Sequence, residues 1–350
     1  MPGRQELEAA IVERFSGERP RVVLGHPVQA AARAALEASC EVHTHDGQTA
    51  LVSAPLERAA AVMAFMTERI DCQFLSLAPD LQIVAGALQG FDNIDVEACS
   101  RAGVWVTVCE DRLSEPTADL AFRLLLGLAR RINEGDALVR RGEFRGWRPR
   151  LYGTDLRART LGIVGMGAVG RAVAERAAPF GVRLLYWDSL RLPESTAARL
   201  GATRTDFESL VAQADILMPL LPLNASTRGL IDAKAIERLP RGALIINVAR
   251  GSLVDEEAIA DALRDGHLGG YAADVFACED LSVADRPREV PESLIADRSR
   301  TLLTPHLGSA VASAREAIEL DAAVNVLAAL AGKTPPGAIN TPVRVASVSR

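Results

Sequence analysis

The sequence predicts an α/β protein built on two doubly wound parallel sheets. Three observations carry that expectation. Short apolar runs rich in Val, Ile and Leu recur along the chain, Ala-rich stretches of helical spacing separate them, and the alternation starts again near residue 159. Length and composition agree: 350 residues, 49% of them hydrophobic, suffice for two cores. Aromatic residues make up only 4%, so those cores must be packed from Ala, Val, Leu and Ile.

The elements follow in order. Residues 1–19 are mixed in charge, lack an apolar signal core and read as a flexible N-terminal extension. RVVLG (21–25) is a β-branched run ending in glycine, the mark of a buried strand, and a helical pattern over 28–39 follows it. CEVHT, AAVMAFM (60–66), LQIVAGAL (81–88) and GVWVTVC (103–109) complete the first series. Its GALQGFDNID stretch (86–95) is a strand running into a tight loop. TADLAFRLLLGLARRINEGDALVRR predicts one long helix over 117–141, with Pro116-Thr117 as its start signal. RTLGIVGMGAVGRAVAERAAPFG (159–181) opens the second series, whose later strands are RLLYWD, ADILMPLL, ALIINVA, GGYAADVF and TLLTPH. Two such series predict two domains with the active site in the cleft between them.

The net charge of -6 is spread among interspersed acidic and basic residues, which argues against a nucleic-acid surface. Five scattered cysteines (Cys40, Cys72, Cys99, Cys109, Cys278) without CxxC spacing suggest neither disulfides nor zinc, and read as reduced, buried small hydrophobes. The His43–His45 pair has no ligand cluster around it, so no metal is expected. No run approaches the ~20 apolar residues of a membrane span, so a soluble cytoplasmic protein is expected.

LGIVGMGAVGR places Gly165, Gly167 and Gly170 in GxGxxG spacing between a strand pattern and a helix pattern. Such glycines permit a tight turn, close approach of backbone to a pyrophosphate and helix–strand packing, and the helix N-terminus supplies amide donors. RLLYWD then ends in Asp188, 18 residues beyond Gly170, where a carboxylate accepts from ribose hydroxyls. Strand, glycines, helix, strand and acid in order predict a Rossmann-like site for NAD. The carboxylate disfavours the extra phosphate of NADP, and Arg191 reads as a solvated surface side chain.

Three later strands end in polar residues: Arg250 in NVARGSLVDE, Glu279 in DVFACED and His306 in TPHLGSA. Carboxyl ends of strands in an open sheet face the binding crevice. Arg clamps a small oxyanion with a fixed fork, His exchanges a proton near neutrality, and a carboxylate bonded to the imidazole orients it. Singly they read as a surface Arg, a capping Glu and a core His; jointly, beside a nucleotide site, they read as a dehydrogenase.

VGMGAVG, LPLNASTRGLI, INVARGSLVDEEAI, YAADVF and TPHLGS, in that order, resemble the D-isomer-specific 2-hydroxyacid dehydrogenase family. The resemblance implies Arg250, Glu279 and His306 as the catalytic set. It implies cofactor contacts from Gly165, Gly167, Ala168, Val169, Gly170, Asp188, Pro222, Thr227, Ala249, Asp274 and Thr117. It also implies a homodimer, an NAD-binding Rossmann domain over 118–307, and a discontinuous flavodoxin-like substrate domain over 20–117 and 308–340.

Within that family the chain is most similar to the phosphite (phosphonate) dehydrogenases, through VMAFM, GALQGFDNID, GEFRGWRPRLYGT, HLGGYAADVFACEDLSVADRP and TPHLGSAV. The implied substrate contacts are Met66, Leu88, Gln89, Gly90, Asp92, Trp147, Tyr152 and Ser309, with Arg250 and His306. One position departs: Gln89 stands where that group carries a lysine. At ~4 Å a charge pair is worth ~1 kcal/mol in water and about 4 at an effective dielectric near 20, so a dianion loses support here. Phosphite oxidation is thus the first expectation and 2-hydroxy acid oxidation, or 2-keto acid reduction, the second. An NAD-sensing binding protein is the third, since fold alone does not fix function.

Overall fold

Apolar runs of three to six residues are too short to bury a face as helices, so they pair as strands and stop at glycines or polar residues. The structure, a computed structural model, describes residues 4–45, 51, 56–109 and 111–343. Contacts divide the chain into two units: unit 1 holds 1–112, 281–284 and 311–350, and unit 2 holds 113–280 and 285–310.

Unit 1 contains α1 (Arg4–Arg14), β1 (Arg21–Leu24), α2 (Ala30–Glu37), β2 (Glu41–Thr44), β3 (Ala59–Ala64), α3 (Cys72–Leu77), β4 (Ile83–Gly86), α4 (Val96–Arg101) and β5 (Trp105–Thr107). After unit 2 the chain returns as α13 (Ala312–Leu330). The strands form one parallel sheet in the order β2-β1-β3-β4-β5, which reverses direction of travel between β1 and β3. Val23, Val62, Val84 and Val106 fill its core as an uninterrupted apolar layer, as a sheet covered on both faces requires. α3 and α4 are short, and each is started by an aspartate whose carboxylate accepts first-turn amides, Asp71 from Gln73 and Phe74 and Asp95 from Ala98. α13 crosses β3 and β4 and packs against α2. Residues 338–340 close the β5 edge, where Asn340 Oδ1 accepts the Val106 amide at 2.7 Å.

The N-terminal segment is not the flexible extension the charge pattern predicts. α1 buries Leu7 and Ile11, and Arg14 Nη1 donates to the Ala329 and Leu330 carbonyls, 2.9 Å each, at the end of α13. A cation there satisfies carbonyls that the helix leaves unpaired.

Unit 2 contains α5 (Ser114–Ala129), α6 (Ile132–Arg140), β6 (Thr160–Val164), α7 (Ala168–Ala177), β7 (Arg183–Trp187), α8 (Glu194–Leu200), β8 (Ala202–Arg204) and α9 (Phe207–Val211). It continues with β9 (Ile216–Pro219), α10 (Ala233–Arg238), β10 (Ala243–Asn247), α11 (Glu256–Arg264), β11 (Leu268–Ala273), α12 (Glu292–Ala296) and β12 (Thr301–Leu303). Its seven parallel strands run β12-β11-β10-β9-β6-β7-β8, the doubly wound order, with the reversal between β6 and β9. Leu161, Ile163, Ile216, Met218, Leu244 and Ile246 pack beneath Ala121, Phe122 and Leu125 of α5 and Ala172 and Val173 of α7.

The single helix expected over 117–141 is two. Arg131 adopts φ 51°, a left-handed conformation that ends α5 and starts α6, and its guanidinium bonds Glu134 at 2.7 and 2.8 Å. The helical spacing runs through the break, so periodicity alone does not reveal it.

The cysteines are free; Cys40, Cys99 and Cys109 are buried as expected, whereas Cys72 is exposed and Cys278 half-buried. Burial pushes the Cys99 and Cys109 thiols up to about 12, so they remain protonated packing groups. Among the described residues no three His, Cys, Asp or Glu side chains gather to hold a metal, and His43 bonds Glu41 instead. No described helix is long and apolar enough to cross a membrane.

Candidate active site

The glycine turn lies where the strand order of the seven-stranded sheet reverses, at the carboxyl end of β6. Gly165 adopts φ 106°, and a Cβ there would stand 2.6 Å from the Leu220 carbonyl oxygen, so only glycine fits. A Cβ on Gly170 would collide with the Gly165 carbonyl, which is the close helix–strand approach predicted. Gly167 differs: nothing lies within 4 Å of where its Cβ would be. Backbone is therefore open to an approaching group at the start of α7, whose first-turn amides have no partner within the helix. Ala168 and Val169 form that first turn and are half-buried.

Asp188, at the end of β7, is held beside the turn. Its Oδ2 accepts the Met166 amide at 2.6 Å and its Oδ1 the Leu190 amide at 2.9 Å. Arg204 donates to the Asp188 carbonyl at 3.0 Å, and Arg191 is exposed as expected. Pro222 is exposed, and its carbonyl accepts the Thr227 hydroxyl at 2.7 Å. Thr227 Oγ1 also takes the Asn224 amide at 2.9 Å. This hydroxyl is thus spent on shaping its own loop.

Arg250, Glu279 and His306 follow β10, β11 and β12, three neighbours in the sheet. His306 Nδ1 bonds Glu279 Oε2 at 2.6 Å, and Glu279 Oε1 accepts the Phe276 amide at 2.7 Å. The carboxylate is therefore fixed at both oxygens, and the imidazole is left with Nε2 for outside chemistry. His306 itself sits at φ 55°, a conformation costly for a non-glycine residue and held here by its neighbours. Asp274 supplies that hold: it is 1% exposed, and it accepts Thr304 Oγ1 at 2.6 Å and the Leu307 and Gly308 amides at 2.7 and 2.8 Å. Burial pushes its carboxyl up, against those hydrogen bonds. Thr117 lies alongside, since a Cβ on Gly308 would meet its hydroxyl at 3.2 Å and the Asp274 carboxylate at 3.4 Å. Ser309, next in the chain, is half-buried.

The Arg250 turn rests on a residue that no sequence motif singles out. Asn247 is fully buried at the end of β10, donates from Nδ2 to the Arg250 carbonyl at 2.8 Å and accepts the Ala249 amide at 3.1 Å. Arg250 Nη1 donates to the Ala249 carbonyl at 2.8 Å. A second such group, Asp280, accepts the Ser252 amide at 2.6 Å and ties the Arg250 turn to the Glu279 turn. Asn247 closes the apolar run ALII, a signal visible in the sequence, whereas Asp280 stands behind Glu279 and closes none.

In unit 1, Gln89 and Gly90 are half-buried in the loop after β4, as are Met66 and Asp92. Leu88 is 3% exposed, its side chain folded back over Gly86. Asn93, which the sequence also leaves unmarked, ties this loop to the Met66 loop, its Nδ2 donating to the Phe65 and Glu68 carbonyls at 2.8 and 2.7 Å. Trp147 and Tyr152 are the two aromatic side chains expected at the substrate. They are 79% and 75% exposed, on an irregular stretch after α6 where Gly142 and Gly146 take positive φ.

A sequence model described as the NAD-binding domain of the D-isomer specific 2-hydroxyacid dehydrogenases matches residues 122–308. The chain belongs to that family. It is 38% identical to a glyoxylate reductase of Thermococcus litoralis over 292 residues, 82% of this chain and 85% of that protein. The crystal structure of TT0316 protein from Thermus thermophilus superposes with a TM-score of 0.82 and 35% identity, over 91% of this chain and all of that one. An NADPH-dependent glyoxylate/hydroxypyruvate reductase from Sinorhizobium meliloti, solved with NADP and malonate, gives a TM-score of 0.81 at 28% identity, over 93% of this chain and 99% of that chain. This D-2-hydroxyacid dehydrogenase is accordingly an NAD-dependent oxidoreductase, and the open backbone at Gly167 beside Asp188 suits the dinucleotide.

Proposed function

We propose that this dehydrogenase reduces a short 2-keto acid, glyoxylate foremost, to the 2-hydroxy acid, and runs the reverse oxidation when product is in excess. The observation that carries this reading is the 2.6 Å bond from His306 Nδ1 to Glu279, one strand away from Arg250. NADH, when bound, supplies the hydride that the carbonyl carbon takes up. His306 gives the carbonyl oxygen its proton from Nε2, Glu279 keeps that nitrogen aimed, and Arg250 pairs with the carboxylate. Asp274 acts behind them by holding the 306–308 loop, and Asp188 takes the adenosine ribose. The relatives named as glyoxylate reductases, together with a neutral Gln89, favour a singly charged carboxylate over phosphite.

An initial-rate panel tests the reading. NADH consumption is expected with glyoxylate, hydroxypyruvate or pyruvate, and little NADH formation with phosphite. Phosphite-driven turnover exceeding every keto acid would overturn it. We also propose a homodimer, because Ile132, Val139, Phe144, Trp147 and Tyr152 leave apolar surface exposed along one stretch of chain.

A further inference from the structure

Directly behind the Glu279 turn lies a carboxylate that the mechanism above does not use. Glu256 opens α11 and is 6% exposed. Its Oε1 accepts the Ala277 amide at 2.9 Å, so it grips the Ala277–Glu279 turn from beneath. Its Oε2 is buried with no hydrogen-bond partner among the described residues. The groups that act on it electrostatically are Asp280 and Glu279 from the turn and Glu257 from its own helix. Glu256 in turn acts on Cys278 of the turn and on the Tyr271 phenol of β11. None of these is a cation. An acid in such a place is costly, since burial and like charges both oppose its ionisation. A neutral amide of the same shape would serve packing alone.

We propose that Glu256 is a positioning residue for His306, acting through the Ala277–Glu279 turn: one oxygen anchors the turn, and the charge on the other is felt by the Glu279–His306 pair. This rests on the proton-donor role given to His306 above. Two anchors then hold the turn that aims the imidazole, Glu256 at Ala277 and Asp280 at Ser252. Glu256 alone of the two has an oxygen left uncompensated. Burial, followed by the neighbouring carboxylates, pushes its carboxyl up to about 7, so its charge changes in the range where the enzyme would work. When it ionises, negative charge is added behind Glu279; when it is protonated, that charge is withdrawn while the anchor to Ala277 remains.

Two variants separate anchor from charge. Glu256→Gln keeps an oxygen for the Ala277 amide and abolishes the ionisation. In protein with carbon-13-labelled histidines, saturated with NADH, the His306 signal is assigned by its loss in His306→Gln. The wild-type signal is expected to respond to the ionisation of Glu256 near pH 7. In Glu256→Gln the contribution of Glu256 is absent from the curve, while NADH affinity is unchanged. Superimposable curves would overturn the electrostatic link. Glu256→Ala removes the anchor as well, and turnover of glyoxylate should fall by about tenfold or more with NADH affinity kept. Turnover equal to wild type would overturn the anchoring. The titration needs no substrate, so an enzyme inactive on glyoxylate would count against the proposed function and leave this measurement to decide on Glu256 by itself.

Discussion

Asp188 illustrates how much one side chain carries. Its carboxylate is held by the Met166 and Leu190 amides, which point it along the edge of the glycine turn. Asp188→Ala should weaken NAD binding ~10- to 100-fold, the scale of a lost charge-assisted bond, and should narrow the gap between NAD and NADP. Fluorescence titration with NADH and NADPH measures both, and an unchanged ratio would refute the assignment. Such residues are readable because each ends an apolar run: Arg250, Glu279 and His306 can all be placed from their strands. Most of the residues that hold them cannot. Asp280, Glu256 and Asn93 act through backbone amides and carbonyls brought close only by folding, and a hydrogen bond between chain-distant groups leaves no trace in local spacing, whereas Asn247 bonds its own turn two and three residues away.

At the scale of elements, strands are more legible than helices. Every run expected as a strand pairs in one of the two sheets; most are continuously buried and so continuously apolar, the half-exposed β2 (EVHT) being the exception. β8 escapes, since Ala202–Arg204 is short and half polar at a sheet edge. The break at Arg131 and the docking of α1 escape for another reason: periodicity runs through the first, and the second depends on a partner distant in sequence. α1 gives a direct test. Ile11 is fully buried, so Ile11→Ala should cost about 2–4 kcal/mol, read as a lower urea midpoint at an unchanged slope. A flexible extension would give no change at all.

For the whole molecule, Glu256 sets a sign on stability against pH. Its folded value of about 7 lies above the ordinary 4.5, so between those values the folded chain holds a proton that the unfolded chain releases. That contribution is complete below about 4.5 and is lost as pH rises through about 7, a change of at most about 3 kcal/mol. Wild type should therefore lose more stability than Glu256→Gln between pH 5 and pH 8 in otherwise equal buffers, and parallel melting curves would contradict this. The same two-sheet architecture serves many substrates, so the choice of a keto acid has to be settled by chemistry. The most direct measurement follows the hydride. With NADH deuterated at the transferable position and glyoxylate as acceptor, deuterium should appear at carbon 2 of glycolate, one for each NADH consumed. Glycolate without deuterium, or no glycolate from an enzyme that forms NADH from phosphite, would contradict the account.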